Sequence, residues 1–452
     1  MTIYLNKALR WQAANSDEQD MLRDLQANIL KGHGRDHTLL LFLRFESTQL
    51  SQARAFVRGI ARYVTTAHQQ LTDTEALTTL APQAQAQRKL QSNPVILFFL
   101  TAAGYRALGI AAERLPPDPA FRAGFKARVA MLHAPPPTQW EVKFQEPLHA
   151  LLLIADATAQ FVQQARQLVM PPNPGVTVIG SEVGRVLRNA QGDVIEHFGY
   201  ASGRSQPLML VEDIERERER LAADLVATLD TALVKDPNGR NSTCFGSYLV
   251  FQKLAQDVRR FKAQVETLAQ RLELGAEAAA ALVMGRFADG TPLALAATPS
   301  GQQPIANNFD CAADPQGLRC PWHAHIRKMN PRDATDGSRH WLVRRSITYG
   351  ERERDSAPQD RPSNGVGLLF MAYQSHIESQ FEFLQKNQAN AVDFPHAGAG
   401  LDPIAGRGPA HPQHWPRRWG QNELSRFEFH NCATLQGGEY FFAPCLSFMQ
   451  NL

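Results

Sequence analysis

The chain has 452 residues, of which 44% are hydrophobic and 20% charged, a balance that excludes a disordered or fibrous protein and leaves material for a sizeable core. Lys plus Arg exceed Asp plus Glu by 47 to 44, a formal net charge of +3, too weak a field to argue for nucleic acid or an anionic membrane as partner. The length exceeds what one hydrophobic core usually organises, which makes two packed domains the default over one very large one.

The N-terminal stretch MTIYLNKALRWQAANSDEQD has neither an uninterrupted apolar segment nor a twin arginine, and no later run is long enough to span a bilayer. The run TLLLFLRF, from Thr38 to Phe45, is short and apolar and predicts a strand. Gln49 to Leu71 follows with Ala53, Val57, Ile60 and Val64 at helical spacing. PVILFFLT (Pro94 to Thr101) and HALLLIAD (His149 to Asp156) repeat the strand pattern, and the second leads into a helix that stops before Met170-Pro171-Pro172. The charged run EDIERERERLAADL, with Leu221, Leu225, Val226 and Leu229 behind it, predicts a partly exposed connecting helix within Val211 to Lys235.

After Pro237-Asn238-Gly239 the pattern starts again. SYLVF predicts a strand, and Leu254, Val258, Phe261, Val265, Leu268 and Leu272 trace one helical face ending near Gly275. GVGLLFMAYQ predicts a buried strand, Ser375 to Asn390 a helix and GGEYFFAP a last strand. The expectation is an α+β protein with helices packed on one sheet in each half: residues 1–236 with the connecting helix, and residues 237–452. Five cysteines (Cys244, Cys311, Cys320, Cys432 and Cys445) without a CxxC are poor material for a disulfide framework or a structural zinc cluster, so a reducing, cytoplasmic setting is expected.

Reactive side chains are densest in CPWHAHIRKMNPRDATDGSRHWLVRRSITYG, from Cys320 to Gly350. It carries His323, His325 and His340 among Arg327, Arg332, Arg339, Arg344 and Arg345, which suggests a bound anionic group. Three readings stay open on the residues alone. Cys320, His323 and His325 suit a soft metal such as zinc, although no fourth ligand is named nearby. One imidazole on an iron, arginines for propionates and apolar walls from GLLFMAYQ, Phe370 included, suit haem. A solvated basic face with ordinary polar histidines is the third.

LQANILKGHGRDH, EHFGYASGRSQP, CPWHAHIRKMNPR, RRSITYG, GLLFMAYQSHIESQFEFLQ, GLDPI and GGEYFFAP, in that order along the chain, closely resemble the segments of the dye-decolourising (DyP-type) peroxidases. The resemblance implies two ferredoxin-like domains with antiparallel sheets, dimeric α/β-barrel-like, the second holding most of a haem b (iron protoporphyrin IX). It places the iron ligand at His325 and the family's distal arginine at Arg344. Arg345, Arg327 and Arg332 are then candidate propionate or structural partners. The implied reaction reduces hydrogen peroxide and oxidises aromatic or dye-like donors. A carboxylate partner for His325 is sought in Glu428 of RFEFH or Asp402 of GLDPI.

One departure stands out. Where the family carries GxxDG, this chain reads Gly199-Tyr200-Ala201-Ser202-Gly203, so Ser202 replaces the aspartate that handles the proton of peroxide. General acid–base catalysis of that kind contributes about 10²–10⁴-fold, so reduced activity, or a haem-binding role as sensor, carrier or partner subunit, is the alternative expectation. A water held by Ser202, or His197, would then have to move the proton. Trp341, Tyr349, Trp415, Trp419 and Tyr440 are the aromatic residues implied as routes for electrons from large donors.

Overall fold

The computed structural model describes residues 3–89, 91–218, 226–301, 305–332, 337–352, 361–409 and 411–452. Eight antiparallel strands form a closed barrel. In the first half, β1 (His37–Phe45), β2 (Val95–Leu100), β3 (Ala150–Asp156) and β4 (Val176–Arg185) lie in the order β2-β3-β1-β4. In the second, β5 (Phe245–Gln256), β6 (Ile347–Tyr349), β7 (Gly367–Gln374) and β8 (Ala433–Ala443) lie in the order β8-β5-β7-β6. Both orders are the ferredoxin-like one. The halves join twice, through Phe442 on β8 beside Leu100 on β2 and through Tyr349 on β6 beside Gly184 on β4.

Barrel closure explains why the strand sequences read as unbroken apolar runs. Every residue of β2 and of β3 is buried, because one face fills the barrel and the other lies under helices, so the half-exposed alternation of an open sheet is absent. Helix α1 (Leu50–Ile60) buries Ala53, Phe56, Val57 and Ile60, and α2 (Ala159–Val169) buries Val162, Ala165 and Val169. Helix α3 (Val258–Leu272) buries Val258, Phe261, Val265, Leu268 and Leu272, each side chain contributing about 1.5–3 kcal/mol at most. Asp257 caps its start by accepting the Arg260 N–H, and Glu273 ends it in the left-handed region at φ 59°.

Four predicted elements differ in form. Leu254, expected on the helical face that ends near Gly275, lies on β5 instead, and that helix starts at Val258. The helix foreseen over Gln49–Leu71 is two helices, α1 and Ala67–Thr78. Between them the Thr65 N–H bonds to the Ile96 carbonyl at 2.9 Å, and Thr66 caps the second helix, so the chain is extended where periodicity alone continued it. The connecting helix is formed over Val211–Arg216; residues 219–225 of that prediction lie outside the described residues. Ala227 then donates to the Leu208 carbonyl and Val234–Lys235 pairs with β5, so no helix reaches Lys235. The helix after β7 exists but is wound with π geometry over Glu378–Glu382 and Leu384–Ala389, a winding that is rare and often found beside functional sites.

A second, smaller core lies outside the barrel. It packs α3 and the helix Ala276–Met284 against Phe198, Tyr200, Phe287, Phe309, Trp415 and Phe429. The site described next is walled by residues of both cores.

Candidate functional site

A cavity of about 570 Å³ opens between the two cores, within the roughly 300–1,000 Å³ range of sites that enclose small molecules and cofactors. Its apolar wall comes from Met284, Phe287, Phe309, Ile326, Leu342, Leu368, Phe370, Phe381 and Leu384. Phe381, Leu384 and Gln385 are delivered by the π-wound helix, Leu368 and Phe370 by alternate positions on β7.

His325 lies on this wall as the first residue of the short helix His325–Met329. Its Nδ1 is 2.8 Å from Oδ2 of Asp402, a carboxylate with no solvent exposure. The other carboxylate oxygen accepts the N–H groups of Ile404 at 2.8 Å and Ala405 at 3.0 Å. Burial pushes the Asp402 carboxyl up, but the charge and hydrogen bond of His325 and these two N–H groups outweigh it and hold the group below the ordinary carboxylate range. An ionised Asp402 requires a proton on Nδ1, which leaves the Nε2 lone pair as the free ligand atom. Lys328, one turn along the same helix, is buried and donates to the carbonyls of Ala391 and Gly400 at 2.6 and 2.5 Å, which clamps the Asp402 loop to the His325 helix.

Of the two carboxylates considered from sequence, Asp402 therefore meets His325 and Glu428 does not. Glu428 lies on the surface, 3.8 Å from His430. His323 points into the second core, edge-on to Trp415 with ring centroids 4.1 Å apart, where burial drives its pKa down to about 3. Cys320 is fully buried and burial raises its thiol, so Cys320 and His323 form no shared ligand set with His325.

Arg344 also lines the cavity. It sits on the two-residue strand Val343–Arg344 beside Ala372 of β7. Its Nη2 donates to the Arg204 carbonyl at 2.9 Å, and its backbone N–H to Gln206 Oε1 at 3.2 Å, which ties it to the loop holding Ser202. Burial lowers its pKa without a paired acid. Ser202 lines the cavity with its side chain exposed, its backbone N–H bonded to the Val194 carbonyl at 2.8 Å. Gly199 at φ 103° and Gly203 at φ 75° bracket the loop, a conformation that favours glycine at both ends of the motif. His197 does not reach the cavity: its Nε2 is 2.8 Å from the Tyr349 carbonyl, and burial lowers its pKa to about 4.

The arginines divide into two groups. Arg332 is on the cavity wall, its Nη1 bonded to the carbonyls of Asn307 and Phe309 and its Nη2 to Ser205 Oγ at 3.0 Å. Arg327 and Arg345 do not line this cavity; Arg345 lines an adjoining pocket together with Ser205 and Arg286. Arg327 is locked by Asp314 at 3.0 Å and by the Cys320 carbonyl, with its guanidinium 3.9 Å over Trp322. Arg345 donates to the carbonyls of Asn28, Ile29 and Arg344, joining the N-terminal segment to the second half.

Arg286 and Ser205, which sequence reading passed over, complete a basic corner with Arg332. Arg286 donates to Asn307 Oδ1 at 2.7 Å and to Ser205 Oγ at 3.0 Å, and burial followed by the charge of Arg332 lowers it to about 9. These groups are scattered over 127 positions of chain, from Ser205 to Arg332, so no local spacing could have flagged them. Arg407 Nη1 and Gln252 Nε2, also on the wall, are buried without a hydrogen-bond partner among the described residues. Glu196, a carboxylate on the same wall, accepts the N–H groups of Phe198 and Tyr200 and the Gln256 amide, which makes it the pin of the Ser202 loop.

Among the aromatic candidates, Trp341 reaches the cavity, whereas Trp415 and Tyr440 have no solvent exposure and so offer no surface contact to a large donor. Trp419 is half-buried with Nε1 on the Leu293 carbonyl, and Tyr349 lies under Lys253.

An imidazole with a fixed free nitrogen, apolar walls for a flat macrocycle, and a basic corner for carboxylates together fit haem. Comparison with known proteins agrees. A model described as the DyP dimeric alpha+beta barrel domain matches residues 24–194, and one described as Dyp-type peroxidase, C-terminal, matches residues 222–394. The chain is 41% identical to the multifunctional dye peroxidase DyP2 of an Amycolatopsis species over the whole of both chains, and that protein's structure superposes with a TM-score of 0.92. The structure of an Anabaena DyP-type peroxidase superposes at 0.91, with 36% identity over 99% of this chain and 98% of that one. A dye-decolorizing peroxidase of Mycetinis scorodonius is 28% identical over 98% of this chain and 90% of its own.

Proposed function

We propose, from the premise that this chain belongs to the DyP-type peroxidase family, that it binds haem b through His325 Nε2 and uses hydrogen peroxide to oxidise aromatic or dye-like donors. The observation that carries the reading is the His325–Asp402 pair at 2.8 Å on the wall of the cavity that Arg344 and Ser202 also line. Haem held there would supply a redox-active iron able to take two oxidising equivalents from peroxide and release them one at a time.

The chain's own residues do the rest. Asp402 fixes the tautomer of His325 and makes the imidazole electron-rich, which favours O–O cleavage. Arg344 stays cationic and offers N–H donors where negative charge develops on the departing oxygen, a kind of contribution that is about 10²–10³-fold per donor in other enzymes. Arg332 and Arg286 hold the carboxylates of the macrocycle. Ser202 is too weak a base to take the peroxide proton directly at neutral pH, so its hydroxyl holds a water that relays the proton. Glu196, whose two oxygens accept the Phe198 and Tyr200 N–H groups, is assigned the role of holding the Ser202 loop.

Cys244, Cys320, Cys432 and Cys445 are buried thiols outside any disulfide, which supports a cytoplasmic setting; among the described residues no helix is long and apolar enough to cross a membrane. The test is haem reconstitution followed by rapid mixing with peroxide near pH 4 and pH 7. Wild-type protein takes up one haem with a histidine-ligated Soret spectrum and reacts within the mixing experiment, whereas His325→Ala loses stoichiometric haem. A His325→Ala protein with wild-type haem content and spectrum overturns the assignment.

A further inference from the structure

Outside the cavity lining, three separate stretches of chain place four donor atoms together. Asp24 ends the helix Ser16–Asp24, Cys244 immediately precedes β5, and Cys445 and Ser447 follow β8. A carboxylate oxygen of Asp24 and the two sulfurs lie within 4.8 Å of one another. Ser447 Oγ is 2.7 Å from Asp24 Oδ2, 3.3 Å from Cys244 Sγ and 3.4 Å from Cys445 Sγ. The Asp24 carboxylate and the two sulfurs are thus at most 4.8 Å apart, and Ser447 Oγ is 2.7 to 3.4 Å from each. Neighbouring ligand atoms around a zinc ion with bonds of about 2.0–2.3 Å are about 3.3–3.8 Å apart, a separation these groups can reach.

The charges point the same way. Asp24 and Asp236 both adjoin the thiols, and neither forms an ion pair with a Lys, Arg or His among the described residues. The surroundings already resemble those of ligands held in place by outer partners. Asp236 Oδ2 accepts the Cys445 N–H at 2.9 Å, Asp24 Oδ1 accepts the Ser447 N–H at 2.6 Å, and Asn241 Oδ1 accepts from Cys244 at 3.2 Å.

We infer that Asp24, Cys244, Cys445 and Ser447 form a structural site for a soft divalent cation, Zn(II). Binding exchanges two S–H protons for two S–Zn bonds, Zn²⁺ + 2 RSH giving Zn(SR)₂ + 2 H⁺, with no change of oxidation state. The ion staples the N-terminal helix to the paired ends of β5 and β8. With every donor supplied by protein and both sulfurs buried, the site is closed and its role is stability.

The experiment is elemental analysis of the haem-loaded, full-length protein purified from zinc-supplemented culture and dialysed against a weak chelator, with zinc and iron counted on the same sample. About one zinc per chain is expected, falling to trace in Cys244→Ser/Cys445→Ser and in Asp24→Asn while haem content and peroxide reactivity persist. Intact-mass measurement of the wild type keeps the test independent of whether the variants fold. A zinc-free wild type with two free thiols, a Cys244–Cys445 disulfide seen as a loss of two hydrogens, or zinc retained at full stoichiometry in the double variant each overturn the site.

Discussion

Replacing Asp402 by Asn changes one atom and, by the geometry here, the chemistry of the whole site. The amide oxygen can still accept the N–H groups of Ile404 and Ala405, so the loop keeps its shape. Its NH₂ then faces Nδ1 of His325 across the 2.8 Å contact, donor against donor. Relief comes by moving the imidazole proton to Nε2, the atom that must carry the lone pair for iron. A hydrogen bond to a charged group contributes about 1.5–3 kcal/mol, which as affinity is a factor of roughly 10 to 150. Loss of a partner behind a metal-bound histidine independently suggests about 10–100-fold. Asp402→Asn should therefore bind haem about 10–100-fold more weakly, read by titrating apoprotein with haemin at the Soret band, with unchanged circular dichroism. A variant within about twofold of wild type in haem affinity and in peroxide rate would refute the claim that Asp402 sets the tautomer of His325.

Ser202→Asp restores a carboxylate at the exposed end of the loop and should raise the rate of reaction with peroxide by about 10²-fold or more in stopped-flow; an unchanged rate means that Arg344 and the loop already move the proton. His197 supplies a pH test. Its folded pKa of about 4 lies below the ordinary value near 6.5, so the unfolded chain binds the extra proton and stability is lost as pH falls from about 6.5 towards 4. Between pH 7 and pH 5 that loss is about 2 kcal/mol, and urea unfolding of His197→Gln should show a pH dependence smaller by that amount. At the seam of the barrel, a Cβ on Gly184 would lie 2.4 Å from Ile347 Cγ2, so Gly184→Val should cost about 1–3 kcal/mol and lower the melting temperature; an unshifted melt would show that the β4–β6 seam can spread freely.

Local pattern was enough for much of this molecule. Apolar runs at Thr38–Phe45, Pro94–Thr101 and His149–Asp156 and the spacing of Val258, Phe261, Val265 and Leu268 identify strands and a helix, because burial on a sheet or along one helix face imposes its period on consecutive residues. The motif segments, through family resemblance, singled out His325, Arg344 and Ser202 before any geometry was known, and all three line one cavity. What the chain order could not show is which distant groups meet. Asp402 over Glu428, the corner built by Ser205, Arg286 and Arg332, and the clamping of Arg327 by Asp314 depend on side chains 13 to 127 positions apart. Contacts of that kind leave no periodic trace in sequence. The closure of two ferredoxin-like sheets into one barrel is reached from the sequence only through the family resemblance, since it rests on two edge pairings, Phe442 with Leu100 and Tyr349 with Gly184, and an edge pairing is a property of backbone hydrogen bonds that any sequence of strand formers can make.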